Sequence, residues 1–113
     1  MDDIINLIDV NDAMSRLGGN KKLYVMLLKK FDGKTMLDDL INKIKKGDSE
    51  AAAAQAHTIK GLAANLSLKD LKSRAEDIEL KIKGGEKDID TSEIEQSLNK
   101  TLETVNEWIE QNK

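Results

Sequence analysis

Residues 48–83 read DSEAAAAQAHTIKGLAANLSLKDLKSRAEDIELKIK, and the spacing of their apolar side chains decides the fold. Ala52, Ala56, Ile59, Ala63 and Leu66 recur at alternating intervals of four and three, and Leu68, Leu71, Ala75, Ile78 and Ile82 repeat the pattern in the next stretch. With 3.6 residues per turn, each series lies along one side of a helix. The sequence therefore predicts two neighbouring helices, near 48–66 and 68–83, that share a core. Asp48, ahead of Ser49 and Glu50, is an ordinary N-cap for the first. Ser67 with Asp70 resembles a capping box for the second, and Leu66 and Leu71 occupy the positions of a hydrophobic staple around it.

The same spacing extends outward on both sides. Leu23, Leu27, Phe31, Leu37, Leu40 and Ile44 supply an earlier apolar face, and Ile94, Leu98, Leu102, Val105 and Ile109 a later one. Asp90 with Glu93, flanked by Ile89 and Ile94, signals a second capping box. Glycines with polar companions punctuate the chain at Gly18-Gly19-Asn20, Gly33, Gly47-Asp48 and Gly84-Gly85, and no stretch reads as a strand. The expected helices run near 9–18, 20–46 (a pair, or one kinked helix), 48–66, 68–83 and 91–111. Short links between four amphipathic segments predict an all-α, antiparallel up-down four-helix bundle with an additional short N-terminal helix. Residues 1–113 are expected to form a single domain, a length at which burial of roughly 60–70% of the unfolded surface supports an independent core.

Composition removes most chemistries. The 113 residues include no cysteine, no proline, three aromatics (Tyr24, Phe31 and Trp108) and one histidine, His57. Disulfides, thiol nucleophiles and thiolate metal sites are excluded, and one histidine with scattered carboxylates makes no ligand cluster, so no metal site is expected. Eighteen basic and twenty-one acidic residues give a net charge of −3, with the lysines dispersed among acids, so no nucleic-acid partner is expected. No apolar run approaches the roughly 20 residues that span a bilayer, and Met1-Asp2-Asp3 lacks the positive flank of a signal peptide. A soluble cytoplasmic setting without direct membrane contact is the expectation.

At about 100° per residue, Ile59 and Leu66 fall opposite His57, so the imidazole faces away from the core. Its side of the helix carries Ala53, Ala54, Lys60, Gly61 and Ala64, which apart from the lysine are small. Each has an ordinary reading. A lone helical histidine is commonly a surface residue, the alanines are strong helix formers, Lys60 is a solvated charge, and Gly61 marks a close helix crossing. Their coincidence is the signal, because glycine inside a helix costs roughly 0.5–1 kcal/mol relative to alanine and nothing local ends the helix there. A small-residue face leaves an imidazole open to a group held on another protein, and a lysine one turn away can neutralise a phosphoryl group placed on the ring. Histidine, with an ordinary pKa of about 6.5, is a competent neutral nucleophile near pH 7.

Ala56-His57-Thr58-Ile59-Lys60-Gly61-Leu62-Ala63-Ala64-Asn65-Leu66 resembles the signature of histidine phosphotransfer (HPt) domains of bacterial phosphorelays, of the hybrid sensor kinase type. Arg16-Leu17-Gly18-Gly19-Asn20 with Leu23, Tyr24 and Phe31, the Gly47-Asp48 turn, and Leu71, Ala75, Glu76 and Glu79 extend the resemblance over most of the chain. It implies that His57 is phosphorylated, that Lys60 is the positive partner of the phosphoryl group, and that Gly61 gives clearance beside the ring. It further implies that the phosphoryl group comes from an aspartate of a response-regulator receiver domain and goes to another receiver. The domain would need no cofactor, the divalent metal being on the receiver. Ala53, Ala54 and Ala64 would form part of the docking surface, joined by Met14 and Leu17 on the leading helix, for which core burial is the competing reading. The family commonly has a small pair such as Gly-Ala where this chain has Ser67-Leu68, which implies a change of turn and packing away from the histidine.

Two other functions compete. One is the N-terminal phosphoacceptor domain of a chemotaxis-type histidine kinase, and the other a non-catalytic helical docking bundle. No phosphate-cradling glycine loop occurs, so the chain is not expected to be an enzyme alone, although it can be the HPt part of a hybrid histidine kinase that is attached to a membrane. A monomer is expected.

Overall fold

Four polar side chains set where the helices start. Asp9, Asn20, Asp32 and Asp48 each accept a hydrogen bond from the backbone amide three residues on, at 3.0, 3.0, 3.3 and 3.2 Å. Each satisfies an amide that the first helical turn would otherwise leave unpaired. In the computed structural model, which describes residues 7–112, these caps open α1 (Val10–Arg16), α2 (Lys21–Lys30), α3 (Gly33–Lys45) and α4 (Ser49–Asn65). Two further helices follow, α5 (Lys69–Lys83) and α6 (Ser92–Gln111). The reading of Met1-Asp2-Asp3 lies outside the described residues.

The expected bundle is present. Helices α3, α4, α5 and α6 pack in a ring, each against the next and α6 back against α3, while α1 packs on α2. Links of three residues at 46–48 and 66–68 leave no room for a crossover, so sequential neighbours run antiparallel. The core contains the apolar seams of α4 and α5 in full, together with Leu37 and Leu40 of α3 and Ile94, Leu98, Val105 and Ile109 of α6. The segment 20–46 is a pair of helices rather than one kinked helix. Phe31 is extended, at φ −72° and ψ 108°, and Asp32 then caps α3.

Three local readings need correction. The buried residues of α2 are Tyr24 and Leu28, one position round from the expected Leu23 and Leu27. Tyr24 turns α2, because its ring lies 5.3 Å from that of Trp108 and its hydroxyl donates to the carbonyl of Leu66 at 2.6 Å. The α6 cap is also displaced. Asp90 accepts from the Ser92 amide at 2.9 Å, while Thr91, the residue before the helix, donates its hydroxyl to Glu95 at 3.1 Å.

Ser67 caps no helix start. Leu68 N–H reaches the Ala63 carbonyl at 2.8 Å and Ser67 N–H that of Ala64 at 3.1 Å, a pattern that closes the end of α4 and places Ser67 at φ 59°. A residue in that left-handed region cannot take the extended backbone of an N-cap, so α5 starts one residue later, at Lys69, without a side-chain cap. The Ser67 hydroxyl instead donates to Asp12 of α1 at 2.7 Å.

Candidate functional site

Packing of α5 on α4 builds the site. Ala52, Ala56, Ala63 and Ala75 keep the side chains between these helices short, and Glu79, one turn beyond Ala75, reaches across to α4. Its side chain is 5% exposed, yet three donors surround it. Lys60 Nζ lies 2.9 Å from Oε1, Lys83 Nζ 2.9 Å from Oε2, and His57 Nδ1 3.1 Å from the same Oε2. The Lys60 ammonium, followed by that of Lys83, holds the Glu79 carboxyl down at about 2 against the opposing effect of burial. Glu79 is thus ionised at neutral pH and can only accept. His57 Nδ1 must then carry the hydrogen it donates, which leaves the lone pair of a neutral ring on Nε2. The imidazole side chain is 65% exposed, as its helical angle predicted.

Gly61 is exposed, and a Cβ built on it meets nothing within 4 Å. The reading of Gly61 as a close helix crossing is therefore wrong, because none of the described residues comes close enough to require a glycine there. The Thr58 hydroxyl turns back to the Ala54 carbonyl at 3.1 Å, which keeps it off the ring. Gln55 donates to the Met36 carbonyl at 3.0 Å and ties α4 to α3.

An exposed imidazole with a buried carboxylate behind its Nδ1 and two ammonium groups on that carboxylate has the parts for carrying a dianionic group. A family model for the Hpt domain matches residues 31–110, from the end of α2 through α3, α4, α5 and most of α6. The chain belongs to the Hpt domain family. No curated protein and no solved structure matches it. Hpt domains carry out histidine phosphotransfer in phosphorelays, interact with response-regulator receiver domains, and are phosphocarriers without a nucleotide-binding catalytic site.

Within this Hpt domain, the residues expected to form a docking surface are divided. Ala53 and Ala54 line an open groove with His57, Glu79 and Lys83. Ala64 lies in a small crevice with Asp12 and Arg16, at the α1 end of α4. Leu17 lines an apolar groove with Leu62 and Leu66, and Met14 is half-buried against the core. Sequence reasoning missed Glu79 and Lys83 as members of the site. Their signal was an acid on the edge of the apolar stripe of α5, with a lysine four residues on. Among the described residues, no group of three His, Cys, Asp or Glu side chains could hold a metal ion, and no helix is long and apolar enough to cross a membrane.

Proposed function

We propose that this Hpt domain accepts a phosphoryl group on Nε2 of His57 from an aspartyl phosphate of a receiver domain and passes it to an aspartate of another receiver. The Nε2 lone pair forms the N–P bond as the P–O bond to the aspartate breaks, and the oxygen leaves with its electron pair as a carboxylate. The Nδ1 proton stays on the ring, which becomes cationic, and Glu79 accepts its hydrogen bond throughout. Reversal of these steps on a second receiver returns the ring to its neutral form. The observation that carries this reading is the contact of Nδ1 with an ionised, buried Glu79, which leaves the exposed ring nucleophilic at Nε2.

Lys60 supplies positive charge beside the phosphoryl group, and Gly61 leaves room for the receiver to approach the ring. Ala53 and Ala54 form the part of the docking face nearest His57, with Ala64, Leu17 and Met14 extending it along α4 and α1. In this reading residues 1–113 act as one cytoplasmic, monomeric domain without a cofactor of its own. The receiver brings the divalent metal, and a hybrid sensor kinase is the natural host. A docking bundle without transfer would have no use for a buried carboxylate ringed by three donors.

Incubation with a phosphorylated receiver is expected to place an acid-labile phosphoryl group on His57, and His57→Gln to abolish the label while circular dichroism stays unchanged. Labelling of the His57→Gln protein would overturn the assignment.

A further inference from the structure

Two lysines share Glu79, and they differ in what else they face. Lys60 sits on Oε1, its side chain 25% exposed, and the open groove beside His57 does not include it. Lys83 sits on Oε2, its side chain 62% exposed, and it lines that groove with His57, Ala53 and Ala54. Lys83 Nζ and His57 Nδ1 contact the same oxygen at 2.9 and 3.1 Å, so the two nitrogens are within about 6 Å of each other. With the ring neutral, one carboxylate faces two ammonium groups, and the cluster holds one positive charge more than Glu79 requires. The surplus charge is on the solvent side, at the end of a flexible four-carbon stem.

We infer that Lys83 is a second, mobile ligand for the phosphoryl group, resting on Glu79 while His57 is free and moving to a phosphoryl oxygen once Nε2 is occupied. This rests on the reading of His57 as the acceptor. When the N–P bond forms, the ring turns cationic and its Nδ1–H becomes a charged donor to Oε2. That donor replaces Lys83 as the countercharge of the oxygen they share, and Lys83 is released toward a dianion in its own groove. Lys60 stays on Oε1, so Glu79 remains paired in both states. No bond other than N–P is made in this exchange, and one ion pair moves from a carboxylate to a phosphate.

The test uses the whole chain and phosphoramidate, a small donor that phosphorylates an accessible imidazole without any receiver. The pH at which the phosphohistidine takes up its last proton is read by phosphorus NMR in the wild type, Lys83→Met and Lys83→Arg. A cation on the phosphoryl group disfavours that proton. Lys83→Met is therefore expected to bind it roughly three- to ten-fold more tightly than the wild type, as fits one partly solvated charged contact, and Lys83→Arg to restore most of the difference. In the wild type, the ammonium signal of Lys83 should shift on phosphorylation while that of Lys60 moves less. A lysine that only props Glu79 would also raise the proton affinity in Lys83→Met, because it neutralises the carboxylate that Nδ1 faces, but its own ammonium signal would stay in place. The Lys83 signal is therefore the deciding reading. If His57 is labelled but the Lys83 signal does not shift, this role of Lys83 is wrong and the acceptor reading stands. If neither phosphoramidate nor a phosphorylated receiver labels His57, both fail.

Discussion

Six residues apart near the end of α4, the chain has a glycine where the backbone suits any residue and a serine where the backbone suits glycine. Gly61 is ordinary right-handed helix in open space, whereas Ser67 sits at φ 59° in the left-handed region. Both choices cost stability, by roughly 0.5–1 kcal/mol for glycine within a helix and about 1–2 kcal/mol for a side chain held left-handed. The cost at Ser67 is offset inside the chain. Its hydroxyl donates to Asp12, its N–H to Ala64, and its carbonyl accepts from Asp9 N–H at 3.0 Å. The hydrogen bond from the Ser67 hydroxyl, and then the one from Arg16, holds the Asp12 carboxyl below its ordinary range. Nothing among the described residues offsets Gly61. A local cost met by contacts within the protein marks construction, while one that no described contact meets is what the proposed approach of a receiver to His57 would account for.

The largest expected effect follows from that distinction. Gly61→Leu should raise the unfolding free energy by about 0.5–1 kcal/mol, because leucine is the better helix former and a Cβ has room. The same change should slow phosphoryl transfer from a receiver by about 100-fold or more, as expected when reacting groups are held about 1 Å out of place. Denaturant unfolding and a transfer time course read the two quantities separately. A variant that is more stable and fully active would break the comparison, since glycine would then serve neither the fold nor the partner.

Glu79 stands between these cases, with its burial offset inside the chain by groups that also serve the site. Its carboxyl is depressed from 4.5 to about 2 by Lys60 and then Lys83. A group whose folded value lies below its unfolded one contributes stability in full above the unfolded value, and the contribution disappears as pH falls toward the folded value. Its contribution should therefore be complete above about pH 4.5 and fade between there and about pH 2. With the solvent around Lys83 taken into account, the size is about 2 kcal/mol. Glu79→Gln, which cannot ionise, should converge with the wild type in unfolding free energy across that window. Parallel curves for the two proteins would show that Glu79 draws no net stability from its lysines.

What the sequence disclosed was what adjacent residues decide. The seams of α4 and α5, the cap at Asp48 and the outward side of His57 depend on helical geometry and on amide groups a few residues away, and all are as expected. Gly61 stood out because its cost is local. Glu79 did not, because it lies 22 residues from His57 on another helix, and only the close packing of α5 on α4 joins them. Ser67 misled for a related reason. Serine followed three residues later by an acid is a helix-start pattern, yet the turn is so short that closing the end of α4 takes the same residue first.

Ser67→Gly gives the smallest expected effect and the most direct check on how that turn is held. Glycine relieves the left-handed backbone by about 1 kcal/mol, but it removes a buried hydroxyl that donates to an ionised carboxylate, a contact worth about 1.5 kcal/mol or more. The two should nearly cancel, leaving stability within about 0.5 kcal/mol of the wild type. The cancellation is separable because Asp12 can be changed alone. In an Asp12→Ala background the hydroxyl has no carboxylate to meet, so Ser67→Gly should there stabilise by about 1 kcal/mol. Equal effects in both backgrounds would mean that the Asp12 contact offsets nothing, and Ser67 would then join Gly61 as a residue whose cost has no counterpart within the chain.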